Sequence, residues 1–206
     1  QAPEARFMYI LENTAYYGYV VDAGQVFKNR LIQSIPGAPD TGPAEFSLDM
    51  PNEIMGLASY QKNVIVLCRK GLYRVTGSFN NLGQGSLAHD KISHVVECVS
   101  SKSIVETESG VFFAAKDGFY FTDGFQLIKI SLDRDETYKK RVQTEEQRSR
   151  IYGCYDPTGR RVWWSMQSSP FAQDVDECHV FHHRKRNDGC RLFLLALQVE
   201  LLHLVG

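Results

Sequence analysis

Cysteines and histidines near the C-terminal end are the side chains best suited to hold a metal ion. Cys178 and His182 have the i,i+4 spacing of a helix, as do His179 and His183, and Cys190 follows a basic stretch. Such pairs share one face of a helix, but no CxxC pair completes a structural zinc site, and the surrounding residues lack a helical pattern. We therefore predict a solvated polar loop here, without a metal or cofactor.

Acidic side chains form the second group, because glycosidases place two carboxylates on either side of the scissile bond. The candidates are Asp90, Glu106, Glu108, Asp133 and Asp135. Asp133 and Asp135 stand at the start of a segment with helical character, where acids interact favourably with the helix dipole. We interpret these two residues as structural.

A hydrolytic triad would need a nucleophile, a base and an acid. Ser86, His89 and Asp90 have the right side chains but lie together in what reads as one loop, whereas triad members usually come from separate elements. The chain has no nucleophile elbow, phosphate-binding loop, dinucleotide-binding fingerprint or HExxH helix. The sequence therefore predicts no catalytic residues, and a protein that is not an enzyme.

Basic side chains around one turn, Arg69, Lys70 and Arg74, are candidates for contact with DNA. The formal net charge of the chain is −1, so no global field attracts nucleic acid. We interpret the three residues as solvated positions on strands. No apolar run reaches the roughly 20 residues that a membrane-spanning helix needs.

The elements that would position all these residues are short strands joined by turns containing glycine. Three hairpins are predicted: Asn63–Cys68 with residues 71–76, Gly110–Ala115 with Gly118–Thr122, and residues 151–156 with Arg161–Met166. Residues 6–11 and 15–21 read as further strands. Residues 36–43 and 78–86 read as loops, and residues 133–150 as one inserted helix with i,i+4 acid–base pairs.

The hairpins repeat along the chain. Gly71 lies 47 residues after Gly24 and 47 before Gly118, and Gly159 follows Gly118 by 41 residues. A period of roughly 40–50 residues built of hairpins is typical of propeller blades. We predict an all-β fold, an incomplete β-propeller-like array of antiparallel hairpins with about four blades and one short inserted helix. The four glycines are predicted to be structural turn residues.

The end of the chain departs from this pattern. Residues 1–189 are predicted to form the partial propeller, whereas residues 190–206 are leucine-rich and have no internal turn. Two interpretations of this end stay open. It is either a short amphipathic helix that caps the fold, or a sequence foreign to the fold, for example after a shift of reading frame.

Several strings, read together, resemble one protein family. Residues 28–43, 52–86, 98–131 and 150–166 are similar to the β-propeller structural proteins of tailed bacteriophages, which include tail nozzle and packaged-DNA stabilisation proteins. The most characteristic string is SIVETESGVFFAAKDGFYFTDG at residues 103–124, and GLYRVTG at residues 71–77 resembles the return strand that recurs from blade to blade in that family. The resemblance covers about residues 15–166.

The resemblance implies a non-enzymatic virion protein, made in the host cytoplasm, that assembles as a ring below the portal. Its partners would be copies of itself, other tail or portal proteins, and packaged DNA contacted without sequence preference in the channel. No catalytic or cofactor-binding residues transfer with the resemblance. A carbohydrate-binding or glycosidase-type propeller remains the alternative; an interaction propeller ranks last, because the kelch and Trp-Asp signatures are missing.

Overall fold

The computed structural model describes residues 2–80, 82–131, 135–167, 177–182 and 193–195. Strands dominate these residues and form four antiparallel sheets of four strands each. In every sheet the strands lie side by side in chain order, as in the blade of a propeller. The predicted all-β, propeller-like array of hairpins is therefore confirmed.

Each sheet is a continuous stretch of chain. The first contains β1 Glu4–Leu11, β2 Thr14–Asp22, β3 Gln25–Gln33 and β4 Ser47–Asp49, and the second β5 Ile54–Tyr60, β6 Asn63–Cys68, β7 Leu72–Phe79 and β8 Gly85–Ser93. The third contains β9 Val105–Thr107, β10 Gly110–Ala115, β11 Gly118–Thr122 and β12 Leu127–Lys129, and the fourth β13 Tyr152–Asp156, β14 Arg161–Met166, β15 Glu177–His182 and β16 Phe193–Leu195.

The chain divides into two compact units. The N-terminal unit consists of Gln1–Cys98 with Asp123–Leu127, and the C-terminal unit of Val99–Thr122 with Ile128–Gly206. In the N-terminal unit the first and second sheets share one apolar cluster that includes Leu31, Ile54 and Val66. These side chains are fully buried because alternate residues of a strand point to the same face, and the two sheets turn those faces toward each other.

Aromatic rings fill the core of the C-terminal unit. Trp164 is fully buried, stacks on Phe119 with ring centroids 4.4 Å apart, and donates its indole N–H to the carbonyl oxygen of Ser103 at 2.9 Å. Phe112 packs between the rings of Trp164 and Phe181. The high aromatic content of the sequence is thus used for packing between strands.

The glycine turns occupy different places within their sheets. Gly24, Gly71 and Gly118 have φ of 81°, 107° and 149°, and each lies at the turn between the second and third strands of its sheet. Gly159 lies in the turn between β13 and β14, the first and second strands of the fourth sheet, and there the positive φ belongs to Arg160. The 41-residue interval therefore compares two different hairpins, while the 47-residue interval compares equivalent ones.

The inserted helical segment consists of two short helices, α1 Asp135–Arg141 and α2 Glu145–Ser149. A capping box explains why a second helix begins here. The Thr144 hydroxyl oxygen accepts from the backbone N–H of Gln147, and the Gln147 side-chain oxygen accepts from the backbone N–H of Thr144. Two apolar side chains attach this segment to the core. Tyr138 and Val142 are buried, and the Tyr138 hydroxyl donates to Ala115 O at 2.6 Å.

The leucine-rich end contributes one strand. Within residues 190–206 the structure describes Phe193–Leu195, which pair with β15 and complete the fourth sheet. The helical interpretation is therefore wrong for these three residues, because they pair along a sheet edge. The rest of this end lies outside the described residues. The part of the chain that the structure covers has no helix long and apolar enough to cross a membrane.

Candidate functional site

The candidate metal ligands fall in a strand. Cys178, His179 and His182 belong to β15, whose backbone pairs with β14 from Arg161 to Met166. Residues 177–182 are extended and paired with β14. They therefore form neither the helix that would place these side chains on one face nor the solvated loop that the sequence predicted. His183 and Cys190 lie outside the described residues. Among the residues that the structure describes, no group of three or more His, Cys, Asp or Glu side chains is placed to hold a metal.

The Ser86, His89 and Asp90 group lies on a strand, β8, and not in the predicted loop. Adjacent strand residues point to opposite faces, so His89 and Asp90 diverge. Asp90 accepts from Arg74 at 2.7 Å on the neighbouring strand, and His89 packs edge-on against the Tyr73 ring at 5.2 Å. The three side chains thus do not form a catalytic relay.

The other acidic candidates for a glycosidase site are Glu106, Glu108, Asp133 and Asp135. Glu108 accepts the hydroxyl of Tyr155 at 2.8 Å, and Glu106 is exposed on β9. Asp135 is the first residue of α1, consistent with its expected place at a helix start, and Asp133 lies outside the described residues.

The basic group is largely neutralised by neighbours. Arg69 pairs with Glu53 at 2.8 Å, and Arg74 pairs with Asp90 while its guanidinium lies 4.3 Å from the Phe125 ring centroid. Lys70 is exposed at the turn. Arg69 and Lys70 lie in the turn between β6 and β7, so the interpretation as solvated strand positions is wrong for them; Arg74 is on β7, but its side chain is only 18% exposed. The two ion pairs leave little positive charge for a phosphate backbone.

A different feature stands out: the hairpin formed by β7 and β8. Strand β6 pairs with β7 only as far as Arg74, so residues 75–79 pair with β8 alone and continue past the sheet. Two glycines allow this narrow ribbon. A side chain at Gly77 would place Cβ 2.2 Å from Ser86 O, and one at Gly85 would place it 2.1 Å from Ser78 O. We call residues 75–80 and 82–88 the extended hairpin.

The end of the extended hairpin next to its turn is fastened to the first sheet by a buried amide. Gln33, at the end of β3, donates its side-chain N–H to Phe79 O and accepts from Phe79 N, both at 3.1 Å. The Gln33 side chain thus takes the place of the backbone of a neighbouring strand. It supplies hydrogen-bond partners to the N–H and C=O groups of Phe79, which would otherwise have none on this side of β7. The Phe79 ring stacks on buried Phe46 with centroids 4.2 Å apart.

Hydrogen bonds also join the described residues at the tip of the extended hairpin. The Asn80 side-chain oxygen accepts from the backbone N–H groups of Leu82 and Gln84, both at 2.9 Å, and Asn80 N donates to Gln84 O at 2.9 Å. Leu82 is nevertheless 80% exposed. A leucine held on an ordered tip without cover is a suitable anchor for binding, because little conformational entropy remains to be lost when a partner covers it.

The loop at residues 36–43 adjoins this hairpin. It is fastened by hydrogen bonds from the Tyr17 hydroxyl to Pro39 O and from Thr41 Oγ1 to Ala38 O. It leads directly into the 3₁₀ turn Ala44–Phe46, and Phe46 packs under both Phe79 and the Gly83 backbone. The two segments that the sequence predicts to be loops, residues 36–43 and 78–86, therefore adjoin each other through Phe46. The described chemistry of this site is apolar contact framed by backbone hydrogen bonds, and not acid–base catalysis.

Sequence reasoning identified the loops but missed their organisation. Residues 85–93 form a strand, which the alternation of Leu87, His89 and Lys91 with smaller residues signalled only weakly. Gln33 carried no local signal, because its partner lies 46 residues away. No known protein-family model matches the chain, and no curated protein is significantly similar to it.

Proposed function

We propose that this chain is a non-enzymatic structural protein of a bacteriophage tail or head–tail junction, which assembles into a ring with copies of itself. In that role it helps to close the channel and to retain or release packaged DNA. The proposal starts from the resemblance of residues 15–166 to phage propeller proteins and from the four blade-like sheets. Localisation in the virion, and contacts with portal or other tail proteins, belong to the same proposal.

One observation supports a structural role above an enzymatic one: the extended hairpin presents a leucine on an ordered tip, whereas the candidate catalytic side chains have structural contacts. Asp90 pairs with Arg74, and Glu108 is bound by Tyr155. A structural subunit needs ordered contact surfaces and no reactive centre. The carbohydrate-active alternative would need acids that converge on a substrate, and no observation on the described residues favours it.

The test is electron microscopy of the purified chain, alone and mixed with portal and tail proteins of a tailed bacteriophage. We expect ring-shaped particles, and labelling of the tail or head–tail junction in virions by an antibody against the chain. A chain that stays monomeric with those proteins and is missing from purified virions would contradict the proposal. Hydrolysis of a polysaccharide by the chain would support the alternative.

A further inference from the structure

Two buried cysteines, Cys68 and Cys98, lie next to each other in the N-terminal unit, although they are 30 residues apart in the sequence. Cys68 is the last residue of β6, and Cys98 is the last residue before the C-terminal unit begins at Val99. The backbone N–H of Cys98 donates to the carbonyl oxygen of Cys68 at 3.3 Å. Both cysteines are in the thiol form. Adjacent thiols of this kind can be oxidised to a disulfide.

The separation of the two backbones suits such a bond. Standard bond lengths on either side of the 3.3 Å contact hold the two Cα atoms within about 7 Å of each other. Disulfides usually join Cα atoms that are roughly 4.4–6.8 Å apart. The side chains are also near each other, because the pKa of the Cys68 thiol is raised by burial and, in second place, by the charge of Cys98. The fold therefore brings both thiols into range without movement of a strand.

The neighbouring backbone holds the two cysteines in this position. Cys68 N donates to Gly71 O at 3.0 Å, and Gly71 N donates to Val96 O at 2.9 Å. Val96 and Cys98 are thus both hydrogen-bonded to the chain that turns from β6 into β7. Since two bonds fasten the segment with Cys98 beside Cys68, their proximity is a fixed feature of the unit.

We propose that Cys68 and Cys98 form a redox modification site, which closes to a disulfide when the chain meets an oxidant. The bond joins the end of β6 to the end of the N-terminal segment and encloses the β7–β8 hairpin between its two cysteines. It thereby constrains the part of the chain that carries the exposed Leu82. The bond needs only the folded chain and an oxidant, so it does not depend on a place in a virion.

Oxidised glutathione is a suitable oxidant, because the reaction with it balances in two exchanges. One protein thiolate attacks the glutathione disulfide, forms a mixed disulfide and releases one reduced glutathione. The second protein thiolate attacks the protein sulfur of that mixed disulfide and releases the other. The two cysteines lose two protons and two electrons, which the two glutathione molecules gain.

Burial makes this reaction slow in the folded chain. The thiolate is the reactive form, and the pKa of the Cys68 thiol is about 12. Residues 94–97, which lead to Cys98, belong to no strand. Opening of this segment gives the oxidant access without separating the strands of the second sheet, and we expect oxidation to follow that opening or to occur during folding.

The test is a peptide map of the full chain after incubation with oxidised and reduced glutathione at pH 8. The remaining thiols are alkylated, and the chain is cleaved with trypsin without reduction. Cleavage after lysine and arginine yields residues 63–69 and 92–102, each with a single cysteine, and we expect these two peptides to be linked. The linked pair should be missing from Cys98→Ser. The matched control, Cys154→Ser at an exposed position, should give as much of it as the parent.

The melting temperature of the N-terminal unit, followed by far-UV circular dichroism, tests the constraint. A cross-link that closes a loop of about 30 residues restricts the unfolded chain, so oxidation should raise the melting temperature by roughly 10 °C or more. Dithiothreitol should reverse the rise, and Cys98→Ser should show none. An unchanged melting temperature of the linked parent would contradict the constraint.

Two results of the peptide map would overturn the site. One is a folded parent in which Cys154 takes up glutathione while residues 63–69 and 92–102 stay unlinked, since the oxidant was then active. The other is random pairing, in which Cys68 is linked to Cys154 or Cys178 as often as to Cys98. Either result leaves the ring proposal standing, because electron microscopy tests ring formation separately and rings need no disulfide.

Discussion

Replacement of Gln33 by methionine should release the extended hairpin without unfolding the sheets. Methionine keeps the length and approximate volume of glutamine, so the fully buried site remains filled. What is lost is the pair of 3.1 Å hydrogen bonds to the backbone N–H and C=O of Phe79. Nothing in the new side chain can take their place.

The magnitude follows from the two bonds. A hydrogen bond contributes about 1 kcal/mol net, and a buried backbone group left without a partner costs about 1–3 kcal/mol. Phe79 is only half-buried, so water can reach part of its backbone once the hairpin moves. We therefore expect Gln33→Met to reduce the free energy of unfolding of the N-terminal unit by about 2–4 kcal/mol.

Hydrogen–deuterium exchange is the suitable assay, with urea unfolding followed by far-UV circular dichroism beside it. Tryptophan fluorescence would miss the effect, because Trp163 and Trp164 both lie in the C-terminal unit. Amides of residues 75–88 should exchange faster in the variant. The control is Gln25→Met, at an exposed position on the same strand, which should stay within about 0.5 kcal/mol of the parent. Equal amide exchange of these residues in Gln33→Met and in the parent would show that the Gln33 side chain does not fasten the extended hairpin.

Three further outcomes are expected. Gly77→Ala should destabilise the extended hairpin by about 1–3 kcal/mol in urea unfolding, since Cβ would meet Ser86 O at 2.2 Å on a backbone with φ of 77°; unchanged stability would contradict this. Burial opposes ionisation of Asp117, but hydrogen bonds from Lys129 and Tyr120 outweigh it and hold the pKa below the usual 3.8. The stabilisation is therefore present above that pH and lost as the pH falls through the lowered pKa, so the stability difference between parent and Asp117→Asn should shrink in acid; a constant difference from pH 7 to pH 2 would count against it. Burial, and secondarily the neighbouring Cys98, raises the pKa of the Cys68 thiol to about 12. A thiol reagent at pH 8 should therefore label exposed Cys154 long before buried Cys68, and mass spectrometry of the labelled peptides measures the order.

Local patterns were sufficient to predict much of the fold. The runs at Asn63–Cys68 and Gly110–Ala115 are apolar and β-branched or aromatic, and each is followed closely by a glycine, so strand and turn are both encoded within a few residues. The 47-residue interval then indicated equivalent hairpins, and the structure places Gly71 and Gly118 at equivalent turns. Strand β8 was read as a loop because its polar residues, including Asp90, have their partners on β7.

What the sequence by itself determined is the type of protein: an all-β array of short hairpins with a helical insertion, since hydrophobic alternation and turn chemistry act over short distances. The tertiary structure alone decided which residues form the candidate contact surface. Gln33 and Phe79 meet only after two sheets have packed together, and the exposure of Leu82 depends on what the rest of the chain leaves uncovered. Contacts between residues distant in sequence, and the absence of cover over an apolar side chain, are properties of the packed chain and have no local signature.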